Sequence, residues 1–213
     1  MKKLLAGILE FREKVRPQYR EQFAHLALEQ RPDCLFVGCA DSRVVPNIFA
    51  STQPGDLFVV RNVGNLVPPA GAPEAAAGAA VEFAVNRLGV HDIVVCGHSE
   101  CGAMRGILQG GPAHGLPHLD AWLAVGRRSL HRLAKGPPLD THRPAHDQLS
   151  QHNVLQQIEH LATFPEVAAR VAAGTLRLHG WWFDLAAAEV LAYDAAVGQF
   201  QPITSPMSPP VPI

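Results

Sequence analysis

Two short motifs hold the residues of this chain with the greatest capacity for chemistry. In DCLFVGCADSRVVP, Asp33 to Pro46, an apolar run ends abruptly in Cys39, Asp41 and Arg43. In VVCGHSEC, Val94 to Cys101, a second apolar run ends in His98 and Cys101. Two thiolates and an imidazole are what zinc favours, and three protein ligands with an open fourth position describe a catalytic rather than a structural site. An HxxC alone is a weak signal. An HxxC at one strand end with CxDxR at another is considerably stronger.

Each residue also has a plainer reading. Cysteine is among the most often buried residue types, so Cys39 taken alone reads as core or as ligand about equally well. Asp41 and Arg43 also read as an exposed pair, or Asp41 as a helix cap, and His98 as a satisfied core histidine. Cys34 and Cys96 lie inside their strands and are assigned to the core. The other histidines, among them His114, His118, His131, His142, His146 and His152, fall on presumed loops and helix faces at no ligand spacing and receive no role. Joint occurrence of the motifs favours a site.

A scaffold must bring the two motifs together. Short, β-branched, apolar segments predict strands at Cys34 to Gly38, Leu57 to Arg61, Ile93 to Gly97 and Leu176 to His179. Helical patterns separate them. Over Glu74 to Leu88, Ala77, Ala80, Val81, Ala84, Val85 and Leu88 recur at helical spacing, with Pro73 and Glu74 suited to a first turn and Gly89 to a stop. Leu119 to Leu161 reads as two or more helices broken by Gly136, Pro137 and Pro138. Near-continuous apolar strands alternating with helices predict an α/β fold, a mostly parallel central sheet flanked by helices. In such sheets ligands sit beyond the carboxyl ends of strands, where Cys39, His98 and Cys101 would meet.

Composition narrows the partners. The 213 residues, 47% hydrophobic, suit one domain. With 18 basic against 19 acidic residues the net charge is −1. No Lys/Arg-rich block is present to meet phosphates or lipid head groups, so neither nucleic acid nor a membrane surface is expected as a partner. MKKLLAGILEFREKVRP starts like a signal peptide, but its apolar run is short, Glu10 interrupts it and no small-residue cleavage site follows, so it predicts an amphipathic first helix. No stretch reaches the roughly 18 uninterrupted apolar residues of a membrane span. A soluble, cytoplasmic chain is expected, with its four cysteines reduced or bound to metal rather than paired. Residues 1–200 are expected to form the domain, N-terminal helical arm included, and the proline-rich 201–213, QPITSPMSPPVPI, an extended or disordered tail.

CADSR at Cys39 to Arg43 and GHSECG at Gly97 to Gly102 resemble the two zinc-ligand motifs of the β-class carbonic anhydrases, with QPGDLFVVRNVGNLVPP, Gln53 to Pro69, resembling the segment between them. The similarity runs from about Pro32 to Ile107 and resumes weakly at LHGWWFD, Leu178 to Asp184. It is closer to the plant and cyanobacterial branch. Gly110 to Ala173 matches only as helical filler.

That resemblance implies one zinc per chain, held by Cys39, His98 and Cys101, and reversible hydration of carbon dioxide to bicarbonate and a proton by a zinc-bound hydroxide. It gives Asp41 the task of accepting a hydrogen bond from that group, and Arg43 the task of holding Asp41. It implies an apolar pocket wall of Phe58, Val63 and Phe83, a substrate contact at the Gly102 amide, and Gln30 reaching in from a neighbouring subunit of a homodimer or a multiple of dimers. Phe83 departs from the plant pattern, where a tyrosine usually stands. An inhibitory bicarbonate site found in some bacterial members is matched only at Arg61, its tryptophan and tyrosine positions being Phe36 and Phe183. Two rival readings share the ligands: a hydrolase of carbon disulfide or carbonyl sulfide, which these motifs barely separate, and a structural or redox-sensing zinc module, which would ordinarily fill the fourth position with Cys or His.

Overall fold

A computed structural model describes residues 1–110, 115–206 and 210–212 of the chain. His114 and residues 207–209 and 213 of the expected tail lie outside the described residues.

The four apolar runs form β1 (Cys34–Cys39), β2 (Leu57–Asn62), β3 (Asp92–His98) and β4 (Arg177–Asp184), parallel and in the order β2-β1-β3-β4. β1 and β3 are buried along almost their whole length, as central strands covered on both faces must be. Two further strands, β5 (Glu189–Asp194) and β6 (Gln199–Pro202), extend the sheet antiparallel beyond β4. The expected α/β architecture is therefore present, with an antiparallel edge added to it.

Nine helices are described. An N-terminal arm is made by α1 (Lys2–Glu10), a π-helical turn (Phe11–Val15) and α2 (Arg16–Leu26). A short α3 (Pro46–Phe49) follows β1. α4 (Ala76–Glu82) continues as a π-helical turn, Phe83–Leu88, that Gly89 ends at a left-handed φ of 70°. Glu74 lies before the first turn, where its carboxylate accepts the Ala76 N–H at 2.7 Å. α5 (Gly102–Leu108), α6 (Pro117–Leu123) and α7 (Arg128–Lys135) lead to α8 (Ala145–Leu161) and α9 (Pro165–Ala172). The main core joins Leu35, Val37, Ile93 and Val95 of the sheet to Val81 and Val85 of the α4 segment and to Val154 and Ile158 of α8.

The expected boundary at Gln201 falls within an extended segment. Gln201 lies inside β6, where alternation turns Phe200 inward against Tyr193, their rings tilted at 58° with centroids 5.4 Å apart. Farther along, the Val211 N–H donates to the Leu178 carbonyl at 2.7 Å and its side chain packs on the core. The proline count hides both anchors, because proline bars ladder donation only at its own position.

Candidate metal centre

β1 and β3 are neighbours in parallel register, with Gly38 opposite Cys96. Cys39 and His98 consequently emerge side by side at the carboxyl ends of their strands. Between His98 and Cys101 the chain turns through Glu100 at a left-handed φ of 58°, and Cys101 caps α5 in an extended conformation. One ligand atom from each of Cys39, His98 and Cys101 lies within 4.8 Å of the others, and all three residues are buried.

The chemistry of the cluster fits a zinc ion. The Ser99 carbonyl, 2.8 Å from His98 Nδ1, can only accept, so the ring proton sits on Nδ1 and Nε2 carries the lone pair. That Nε2 is buried and has no hydrogen-bond partner among the described residues, a state native proteins rarely leave uncompensated. Without metal the two thiols share their protons unevenly. The Cys101 thiol donates to Cys39 and, with the Gly64 amide, draws the Cys39 pKa down against its burial; the same hydrogen bond and burial push Cys101 up. A divalent cation such as zinc, held by Cys39, His98 and Cys101, would replace the remaining thiol proton and satisfy both sulfurs and the orphaned nitrogen.

Asp41 and Arg43 form the rim. Arg43 Nη2 donates to Asp41 Oδ2 at 2.7 Å, and its Nε and backbone N–H donate to Oδ1 at 2.9 and 3.0 Å. These bonds hold the Asp41 carboxyl well below the usual carboxylate range, over the opposing effect of partial burial. Arg43 is tied across to the other motif through the Glu100 carbonyl at 3.2 Å. Arg61, on β2, donates to the Cys39 and Asp41 carbonyls at 3.0 and 2.6 Å. Arg43 thereby links the two motifs, and Arg61 braces the first of them against β2.

The remaining expected residues lie on β2, the loop after it, the π-helical turn after α4, the start of α5 and the segment before β1. Phe58 and Phe83 pair with each other, ring centroids 5.7 Å apart. Val63 is 42% exposed, and its carbonyl accepts from Trp122 Nε1 at 2.7 Å. Gly102 opens α5, and Gln30 stands exposed between α2 and β1. The hydrocarbon clustered with Cys39 and Cys101 is Leu66, Met104, Ile107, Leu123 and Leu149, none of which the motifs name.

Sequence reading also missed two buried α8 residues. Asp147 accepts the Glu100 N–H at 2.7 Å, while Ser150 accepts the His98 N–H at 3.3 Å and donates to the His98 carbonyl at 2.9 Å. Their i, i+3 spacing was the available signal, obscured because it lies outside the motif-bearing segments. Of the histidines given no role, His146 and His152 lie on α8, where His146 reaches Glu100 and Asp147 and His152 is 2% exposed.

The carbonic anhydrase family model matches residues 34–190, both motifs included. The structure of the β-carbonic anhydrase CcaA superposes with a TM-score of 0.90 at 36% identity, covering 97% of this chain and 93% of that one. The chain belongs to the β-class carbonic anhydrases. One of two tetrameric β-carbonic anhydrases from Sordaria macrospora matches at a TM-score of 0.77 and 30% identity, over 90% of this chain and 95% of that one. A carbonic anhydrase of Synechocystis is 39% identical, covering 94% of this chain and 73% of its own length. One from Pseudomonas aeruginosa is 40% identical, covering 94% and 90%. Membership accounts for the pairing of CxDxR with HxxC and for the parallel sheet beneath them.

Proposed function

We propose that this chain catalyses the reversible hydration of carbon dioxide to bicarbonate and a proton, with one zinc ion held by Cys39, His98 and Cys101. The buried meeting of these three residues, with His98 Nε2 unpartnered beside the Asp41–Arg43 pair, carries the reading. Zinc bound there supplies the Lewis acid that makes water a nucleophile at neutral pH. The protein's own groups do the rest.

Asp41 is ionised and therefore an acceptor only. It receives a hydrogen bond from a protonated oxygen presented to the site and so fixes which way that oxygen turns its lone pairs. Arg43 holds the carboxylate at both oxygens, so the orientation is set before substrate arrives. Leu66, Met104 and Leu149 give the ligands a dry lining, and Phe58, Val63 and Phe83 are assigned to the wall that admits an apolar molecule. The Gly102 amide is assigned to the substrate oxygen. Stopped-flow hydration of carbon dioxide by zinc-loaded protein tests the proposal, with carbon disulfide and carbonyl sulfide as competing substrates; turnover of those alone would replace it.

Assembly is proposed as a dimer or a multiple of dimers. No residue of α1, the following π-turn or α2 is buried, although Leu4, Leu5, Ile8, Leu9 and Phe11 lie there. The accessible surface of 12076 Å² exceeds the roughly 9,600 Å² expected for a compact monomer of this mass. An apolar arm of this kind calls for a cover, and a second copy also brings Gln30 to a neighbouring site. A cytoplasmic location is proposed too, since all four cysteines are unpaired and two must stay thiolates. Among the described residues, no helix is long and apolar enough to cross a membrane.

A further inference from the structure

Resting on the reading of Cys39, His98 and Cys101 as a zinc centre, we propose that Asn153 is a positioning residue for the metal, acting through the Gly64 amide on the Cys39 sulfur. The Gly64 N–H donates to Cys39 Sγ at 3.3 Å inside the protein. Gly64 has a left-handed φ of 85°, and a Cβ there would stand 2.9 Å from Ala103 Cβ and 3.3 Å from Met104 Cε. Only glycine fits both the conformation and the space.

The peptide that carries this N–H is held at its Val63 carbonyl by Trp122 Nε1, and the peptide that follows it is held by a buried polar row on α8. Asn153, fully buried, donates from Nδ2 to the Gly64 carbonyl at 3.1 Å. Its own Oδ1 is occupied by Ser129 Oγ at 3.1 Å and Gln157 Nε2 at 2.9 Å, so the side-chain amide cannot turn over. Four residues on, Gln157 Oε1 accepts the Val67 N–H at 2.9 Å, and His160 Nδ1 meets the Val67 carbonyl at 2.7 Å. Asn62 closes the other end, accepting the Leu66 N–H at 2.7 Å and donating to the Leu66 carbonyl at 2.8 Å. The loop from Asn62 to Val67 is pinned on either side of Gly64, and Asn153 holds the peptide that follows it.

The consequence for a bound metal is electronic. An N–H donor on a thiolate withdraws electron density from sulfur, so the sulfur gives less to the metal and the metal keeps more of its charge. Two thiolates formally cancel a divalent cation, and in such a site a single N–H···S bond changes Lewis acidity in the useful direction.

Two measurements test this. In protein loaded with cadmium-113, the Gly64 amide proton should show a scalar correlation to the metal through the Cys39 sulfur. Bound cadmium without that correlation would overturn the inference while leaving the metal centre standing; failure of cadmium and zinc to bind at all would remove the metal-centre reading and this inference with it. In cobalt-loaded Asn153→Ala, the thiolate-to-cobalt charge-transfer band should move to longer wavelength, and metal affinity should fall roughly 10- to 100-fold. Leu155→Ala, a core truncation on the same helix, should lose stability with an unshifted band. A wild-type band in Asn153→Ala, or an equal shift in Leu155→Ala, would reduce Asn153 to a packing role.

Discussion

Asp41 Oδ2 lies 3.9 Å from His98 Nε2, beyond hydrogen-bond reach, while Arg43 Nη2 holds the same oxygen at 2.7 Å. The imidazole lone pair is thus kept free for a metal, and the carboxylate is kept out of the ligand position by its arginine. Replacing the charge without the shape separates those two duties. Asp41→Asn should keep nearly normal zinc content, because no ligand is lost, and should lower carbon dioxide hydration by roughly 100-fold. Metal analysis with stopped-flow assay checks both halves, and undiminished turnover would remove Asp41 from the mechanism.

Ligation predicts a division among the four cysteines. Cys39→Ala, His98→Ala and Cys101→Ala should each lose most of the bound zinc, leaving an incomplete tetrahedron. Cys34→Ala and Cys96→Ala should retain it: burial and the neighbouring Asp92 push the Cys34 thiol up to about 12, and burial raises Cys96 too, so both stay protonated. One zinc per chain in the Cys39 variant would place the site elsewhere.

This division among the four cysteines also marks how far sequence carries. Cys39, Asp41, Arg43, His98 and Cys101 were legible because apolar strands ended in polar residues, an anomaly visible in one dimension. β5 and β6 were not, since EVLAYD and QFQP are short and half-buried. Nor was Asn153, whose amide matters only because Gly64, 89 residues earlier, arrives opposite it. A residue whose partner is set by tertiary contact leaves no local period to read.

Burial of His152 predicts an acid limit to stability. Desolvation, aided by the Arg132 charge, lowers its pKa to about 4, against about 6.5 in an unfolded chain. Below pH 6.5 the unfolded chain takes up a proton that the folded chain refuses until about pH 4, so stability is full above that range and falls through it. The loss between pH 7 and pH 5 should be about 2 kcal/mol. Urea unfolding of wild type and His152→Leu at both pH values measures it, and the variant should show the smaller difference.

Sedimentation at assay concentration should give a dimer or larger species, and truncation before Arg16 should weaken it by removing the apolar face of α1. A stable, active monomer would refute the assembly.

Bicarbonate should inhibit without cooperativity. Phe36 and Phe183 are buried in one cluster, Phe183 stacked on Phe49 at 4.8 Å, and neither ring can donate to an anion. Arg61 is already committed to the Cys39 and Asp41 carbonyls. An anion there would leave acceptor oxygens unpaired at about 1–3 kcal/mol each. A sigmoidal loss of activity with added bicarbonate would contradict this.

The polar row of α8 ties the centre to the order in which the chain comes together. Asp147, Ser150, Asn153 and Gln157 meet Glu100, His98, Gly64 and Val67 respectively, 47 to 90 positions away along the chain, and until those segments close each would be buried at a penalty. Helix and loops therefore gain nothing by forming separately. The 62–67 and 98–100 segments and the middle of α8 should open and close as one cooperative unit, shielding their amide protons from exchange together.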